Sequence, residues 1–263
     1  MEEIKLEYLT WPEVAEILKQ PNAIILPVGS MEQHGPHLPL NTDTVHPTYV
    51  AEKAARKVTD EQGIRVLVAP TFPYGEVSVH KKFPGTTGVT IDTLARVVED
   101  LVRCFKEQGF KNIIVLNGHT QNTCAIDTAL IKVHSDFPNL GVYAINWIYL
   151  APEVVASLVR SKQQAKGHAC ETETSTSLVI QPQHVHLDRA VKGLGKFSLS
   201  SKYVGDDGYN RKIVFFQSRK HGWEEWGIMG DPTMATREAG EKHLTAAIND
   251  LADIIAQIVK SEE

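Results

Sequence analysis

The residues best suited to chemistry are concentrated in the stretch SMEQHGPHLPLNTD, at 30–43. Glu32 and His34 are two positions apart, so in an extended segment both side chains point to the same face. Asp43 follows after a turn that contains prolines. Carboxylate oxygens and imidazole nitrogens in this arrangement suit zinc, manganese or iron. Taken alone, the stretch favours a solvated polar loop over a site.

Further polar residues follow the other predicted strands of the chain. Ligands of open α/β sheets bind beyond the carboxyl ends of the parallel strands. Imidazole and carboxylate side chains recur at these positions, and their convergence predicts a metal or catalytic site at one edge of the sheet. The residues concerned are Tyr74, His80, His119, Gln121, Trp147, His168, Glu171 and Glu173.

Strand-like and helix-like segments alternate along the chain. Short aliphatic and β-branched runs predict strands at 22–29, 64–70, 112–118 and 141–147. Helical composition or periodicity predicts helices from Pro47 to about 58, from Thr90 to Gly109, from Gln121 to His134, from near Glu171, and through Leu244, Ile248, Leu251, Ile255 and Ile258.

This alternation is typical of βαβ units, which form a parallel sheet covered by helices on both faces. The sequence has no internal repeat and no linker-like change in composition, so we predict a single domain over 1–263. The segment 182–230 is rich in Gly, Lys and Ser and fits the alternation least. It is expected to form loops, or an insertion near a site or a subunit contact.

The composition narrows the class of protein. In 263 residues, 42% are hydrophobic and 22% charged, as in ordinary soluble proteins, and the net charge of −5 gives no reason to expect nucleic acid as a partner. No apolar run is long enough for a membrane span, and the start MEEIKLEYLTW is unlike a signal peptide. The 3 cysteines are widely spaced, which argues against a disulfide framework. We therefore expect a cytoplasmic protein.

Four motifs, in their order along the chain, resemble those of the creatininase (creatinine amidohydrolase) family: LPVGSMEQHGPHLPLNTD, PYGEVSVHKKFPGTT, VLNGHTQN and GHACETETS. The resemblance extends to GIMGDPTMATREAGEKHL near the end. It implies a three-layer α/β/α sandwich with a mostly parallel sheet, a small-molecule substrate and assembly as a homo-oligomer, often a hexamer. It also implies a pair of divalent metal ions in each chain, either zinc, manganese or iron.

The resemblance assigns most of the metal ligands by position. Glu32 and His119 would hold one metal ion, and His34 would hold the other. Asp43 would bridge both ions.

The fifth ligand differs among members of the family. Creatininase has a glutamate where this chain has Gln121, a neutral and weaker ligand. Many other members instead have a glutamate in a motif like HAGExETS, where this chain has Glu171. We therefore expect Glu171 to bind the second metal and to take part in catalysis.

The remaining site residues also follow from the resemblance. His168 matches the catalytic histidine and would supply the proton that the departing nitrogen needs. Glu173 would contact one of the metal ligands and hold it in its orientation, without binding the metal itself. Trp147, Tyr74 and Gln121 are expected to bind the substrate. A second pocket tryptophan of creatininase falls at Gln164 here, which disfavours creatinine itself.

The implied activity is hydrolysis of a non-peptide C–N bond, in a cyclic amide or formamide, by a metal-activated hydroxide. A peptidase-type or creatinine-specific member of the family is the first alternative. A decayed scaffold that binds metal without catalysis is the second, with Gln121 as its sign. Phosphoester hydrolysis is a third, but Lys81 and Lys82 are the only cations near the strand ends. Trp223 and Trp226 could add aromatic surface, or simply pack in a loop.

Overall fold

The protein is represented by a computed structural model that describes residues 2–161, 167–193 and 226–261. The chain forms two compact units. The first unit consists of Met1–Glu32, Asp43–Ala151 and Thr245–Glu263, and the second consists of Gln33–Thr42 and Pro152–Leu244. The prediction of one domain over 1–263 stays a prediction.

The first unit is built on a parallel sheet whose four strands all follow the sequence prediction. Their order across the sheet is β2-β1-β3-β4, and every pair is parallel. Because parallel neighbours end at the same edge, the segments after β1 and β3 emerge side by side. The strands are β1 (Asn22–Val28), β2 (Arg65–Val68), β3 (Asn112–Asn117) and β4 (Gly141–Asn146).

Helices connect these strands and complete both units. The predicted cap of α3 is confirmed, since Thr90 Oγ1 accepts a hydrogen bond from Thr93 N at 3.2 Å, and Gly109 ends the helix in a left-handed conformation. The α-helices are α1 (Trp11–Ile17), α2 (Thr42–Gln62), α3 (Ile91–Gln108), α4 (Thr123–Asp136), α5 (Pro152–Leu158), α6 (Glu171–Ile180) and α7 (Arg237–Ser261).

Helix α2 differs from the prediction at its start. It was expected to begin after Pro47, but it begins at Thr42 and contains Pro47 near its amino end. A proline removes only its own N–H, and the hydrogen bond lost at this position is the one to the Asp43 carbonyl. That carbonyl instead lies close to Gly118, where an added Cβ would be 2.1 Å from it.

Both faces of the sheet are buried. Successive residues of a strand point to opposite faces. Ile24 and Ile113 lie in an apolar cluster with residues of α3 and α4, whereas Ile25 and Ile114, which point the other way, have no exposed surface either. The predicted α/β sandwich with a parallel sheet is confirmed, and the sheet's edge beyond β1 and β3 is where polar residues can act.

Within the described residues, no helix combines the length and apolar character that a membrane span requires. Of the segment 182–230, the structure describes 182–193 and 226–230, which contain short 3-10 turns at Pro182–His184 and Leu187–Arg189. The predicted loop or insertion between these parts lies outside the described residues.

Candidate active site

Three buried polar residues meet in the first unit. Glu32 follows β1, Asp43 lies in the first turn of α2, and His119 follows β3. His119 Nδ1 is 3.0 Å from Asp43 Oδ2 and 3.4 Å from Glu32 Oε1. One possible ligand atom of each residue lies within 4.8 Å of the other two. We call these residues the first-unit group.

Hydrogen bonds fix how His119 and Asp43 are oriented. His119 Nε2 lies 2.8 Å from the Glu76 carbonyl oxygen, which can only accept, so we assign the Nε2 proton to that bond. Nδ1 therefore faces the carboxylates. Ser30 Oγ donates to Asp43 Oδ2 at 2.9 Å, which holds that carboxylate in place. Such outer partners orient the ligands of a metal site.

The electrostatics of the first-unit group favour a cation. Burial by itself lowers the pKa of His119, but Glu32 and then Asp43 outweigh it and raise the pKa to about 9. In the absence of metal, a proton on His119 thus offsets part of the charge of two buried carboxylates. A divalent ion placed between the same atoms would take over that role, so the donor set fits one.

His80 adds another imidazole beside this group. It lies in a 3-10 turn at Ser78–His80, is almost fully buried, and its Nε2 is 3.8 Å from Glu32 Oε1. The sequence placed His80 after the second strand without giving it a role. Its position follows from the turn after β2, which sequence spacing does not specify.

The second unit contains a corresponding group formed by His34, His168 and Glu173. One possible ligand atom of each lies within 4.8 Å of the others, and the rings of His34 and His168 are 4.3 Å apart between centroids. All three residues are buried. Their imidazole and carboxylate donors again fit a divalent cation. We call these residues the second-unit group.

The backbone around His168 is held on both sides. His168 pairs with Met229 through two backbone hydrogen bonds, at 2.9 Å from His168 N to Met229 O and 2.8 Å in return. The next residue, Ala169, has a φ of 52°, a left-handed conformation that costs a non-glycine residue energy. The turn places His168 just ahead of α6, which carries Glu173.

Glu171, the expected fifth ligand, has backbone N–H groups as its partners, and its role as a ligand stays a prediction. Its carboxylate is buried and accepts backbone hydrogen bonds from Arg160 N at 3.0 Å and Ser161 N at 2.7 Å. Among the described residues, Glu171 belongs to none of the groups that could hold a metal, whereas Glu173 does. Residues two positions apart on a helix point in nearly opposite directions, so only one of the two glutamates can face His34.

Cys170, between His168 and Glu171, is a buried thiol. Burial, and then the charge of Glu173, raise its pKa to about 11. In the metal-free protein the thiol therefore stays protonated at neutral pH.

The residues expected to bind substrate are spread over the first unit. Trp147 is buried, with its ring edge-on to His46 at 5.0 Å, while Tyr74 is 42% exposed. The Gln121 amide, in the orientation that satisfies its hydrogen bonds, donates to Glu76 Oε2 at 3.2 Å. Gln164 and Trp223 lie outside the described residues, and Trp226 is half exposed.

Comparison with protein families gives one match over most of the chain. The model for "Creatininase: Creatinine amidohydrolase" matches residues 7–255.

Three characterised relatives are hydrolases. A mycofactocin precursor peptide peptidase of Mycolicibacterium smegmatis is 30% identical over 236 residues, covering 88% of this chain and 83% of the relative. A creatinine amidohydrolase of Pseudomonas putida is 32% identical over 198 residues, covering 70% and 74%. A 3-dehydro-scyllo-inosose hydrolase of Thermotoga maritima is 28% identical over 272 residues, covering 98% and 84%.

Solved structures agree on the fold. Creatinine amidohydrolase (creatininase) superposes with a TM-score of 0.82 at 24% identity, covering 98% of both chains. A creatininase variant described as Zn–Zn type gives 0.80, covering 98% of both chains, and one described as creatininase Mn gives 0.79, covering 97% of this chain and 98% of that one; each is 24% identical. With the family model matched from residue 7 to 255 and relatives of this identity, the chain belongs to the creatininase family of hydrolases.

Proposed function

We propose that the chain is a metal-dependent amidohydrolase that cleaves a C–N bond of a small cyclic amide or formamide. The observation that carries this proposal is the first-unit group, in which two buried carboxylates raise the pKa of His119 to about 9. An arrangement of this kind is costly unless a cation balances it. Family membership supplies the hydrolytic chemistry.

Each group would hold one divalent ion. Glu32, Asp43 and His119 would bind the first, and His34 with Glu173 would bind the second, so Glu173 takes the role expected of Glu171. When bound, such ions polarise a carbonyl and lower the pKa of water. The similar structures described as Zn–Zn type and Mn support zinc or manganese, and iron is chemically compatible. The bridging role expected of Asp43 stays a prediction.

His168 would serve as the proton donor to the departing nitrogen. Its ring lies beside His34 and Glu173, and both of its backbone hydrogen-bonding groups pair with Met229. Replacing His168 by Ala should lower turnover by roughly 100-fold or more, as is typical of general acids. Metal content should change far less. Full activity in His168→Ala would show that this role is wrong.

The substrate is tested by a panel of C–N compounds. Creatinine, N-formylated pyrimidines, small lactams and peptides that end in a modified residue would be incubated with metal-reconstituted protein, and the ring-opened or cleaved product of each would be measured. The same protein treated with chelator is the control. We expect one amide class to be hydrolysed only by the reconstituted sample. Equal rates with and without chelator would contradict the proposal.

A peptidase is an alternative that a specific comparison favours. The Mycolicibacterium smegmatis relative named as a peptide peptidase is 30% identical and covers 88% of this chain. The peptide arm of the panel therefore separates the alternatives, because a peptidase would cleave peptides and leave formamides and lactams intact.

A further inference from the structure

Gln33 lies between the proposed ligands Glu32 and His34 in the sequence and contacts His168, 135 positions away. It is almost fully buried. Two of its atoms approach the same nitrogen of His168: its backbone oxygen is 2.7 Å from His168 Nε2, and its side-chain Nε2 is 2.9 Å from it. No role for Gln33 follows from metal binding or from substrate contacts.

The Gln33 amide has a fixed orientation. Gly35 N donates to its Oε1 at 2.9 Å, and its Nε2 donates to the Gly227 carbonyl at 2.8 Å. A swapped amide would place donor against donor and acceptor against acceptor. The amide therefore presents its second N–H to His168 Nε2.

The two contacts suit different forms of the imidazole. A protonated Nε2 donates to the Gln33 backbone oxygen, and an unprotonated Nε2 accepts from the Gln33 amide. In either form Gln33 supplies a contact that holds the Nε2 edge of the ring.

The backbone is shaped to admit this amide. Gly227 has a φ of 64°, and a Cβ added there would lie 2.5 Å from both Nε2 and Oε1 of Gln33. Any other residue at this position would push the amide away from His168. Gly63, which has a φ of 68° and nothing within 4 Å of an added Cβ, has the same backbone strain without the clash.

We propose that Gln33 is a positioning residue for His168 that fixes the orientation of the imidazole by holding its Nε2 edge. This role rests on the proposed function of His168 as proton donor. Loss of the amide should therefore slow the chemical step and leave substrate binding nearly intact.

Two variants test the proposal by independent routes. Gln33→Met removes the amide and keeps the length of the side chain, and Gly227→Ala displaces the amide without changing it. Gln181→Met, at a buried glutamine after α6, and Gly63→Ala are the matched controls. All four would be reconstituted with zinc, assayed on the substrate found in the panel, and crystallised.

Both test variants should lower kcat by roughly 10- to 100-fold, as is usual when a partner that orients a site residue is lost. KM should change by less than about twofold, and the zinc content should be retained. Their crystal structures should show the His168 ring displaced or in two positions. The controls should match the wild type. An unmoved ring and wild-type kcat in both test variants would overturn the proposal. If zinc-loaded wild type hydrolysed nothing, the proposed function would fail, while the ring position would still decide the role of Gln33.

Discussion

Glu171 and Glu173 are two carboxylates on one helix to which we assign different roles. Both are buried on α6, two positions apart. Glu171 accepts hydrogen bonds from the backbone at Arg160 and Ser161, and Glu173 joins His34 and His168. The motif gives the order of the glutamates but not the rotation of the helix about its axis, and that rotation decides which one can bind a metal.

The two glutamates predict opposite results for the same substitution. Glu173→Gln should remove about one metal ion per chain, because it weakens a ligand of the second-unit group. Glu171→Gln should keep the metal and lower the free energy of unfolding by about 1–3 kcal/mol, since its backbone donors lose a charged acceptor. Elemental analysis and denaturant unfolding measure both. Loss of metal in Glu171→Gln with retention in Glu173→Gln would reverse the assignment.

Metal affinity at the first-unit group should depend on pH. His119 has a pKa of about 9 in the metal-free protein, above its ordinary value, because of Glu32 and Asp43. Below that pKa the imidazole carries a proton that a metal must displace, so apparent affinity should rise roughly tenfold per pH unit and level off above the pKa. Zinc titration against a competing chelator measures this. An affinity that stays constant from neutral pH upward would contradict it.

At the scale of elements, the ends of β1 and β3 and the start of α2 are packed too closely for an ordinary side chain. A Cβ at Gly118, just after β3, would lie 2.1 Å from the Asp43 carbonyl and 2.6 Å from Pro47 Cγ. The glycine before His119 thus allows the amino end of α2, which carries Asp43, to approach β3. This contact brings Asp43 and His119 together.

Gly118→Ala should therefore separate the first-unit ligands. Overpacking of this kind typically costs about 1–3 kcal/mol of unfolding free energy, and here we expect loss of metal at the first-unit group as well. Gly63→Ala, where an added Cβ meets nothing within 4 Å but φ is 68°, is the control for metal content, because its backbone strain should cost stability without loss of metal. Metal content and thermal unfolding of both variants provide the measurement. Wild-type metal binding in Gly118→Ala would show that this close approach is not required.

The elements were predictable to different degrees. The predicted strands are confirmed. They could be predicted because a strand buried on both faces of a parallel sheet is a short, continuous aliphatic run. The prediction of where α2 begins was wrong. Pro47 was read as the point before which no helix forms, but a proline is tolerated near the amino end of a helix. The contact of Gln33 with His168 spans 135 positions, and no local pattern specifies it.

At the scale of the whole molecule, family membership and the α/β sandwich are established, and the remaining expectations stay predictions. These are assembly as a homo-oligomer (a hexamer by family resemblance), the cytoplasmic location, and the absence of nucleic acid as a partner. A net charge of −5 spread over 263 residues is compatible with all of them and decides none. The metal groups, one in each compact unit, carry the functional argument.

The most direct test is the number of zinc ions bound per chain after equilibrium dialysis of the metal-free protein. The first-unit and second-unit groups together predict about two ions per chain, as in a two-metal hydrolase. A value of about one or none would contradict the binding of one ion by each group and favour a decayed scaffold.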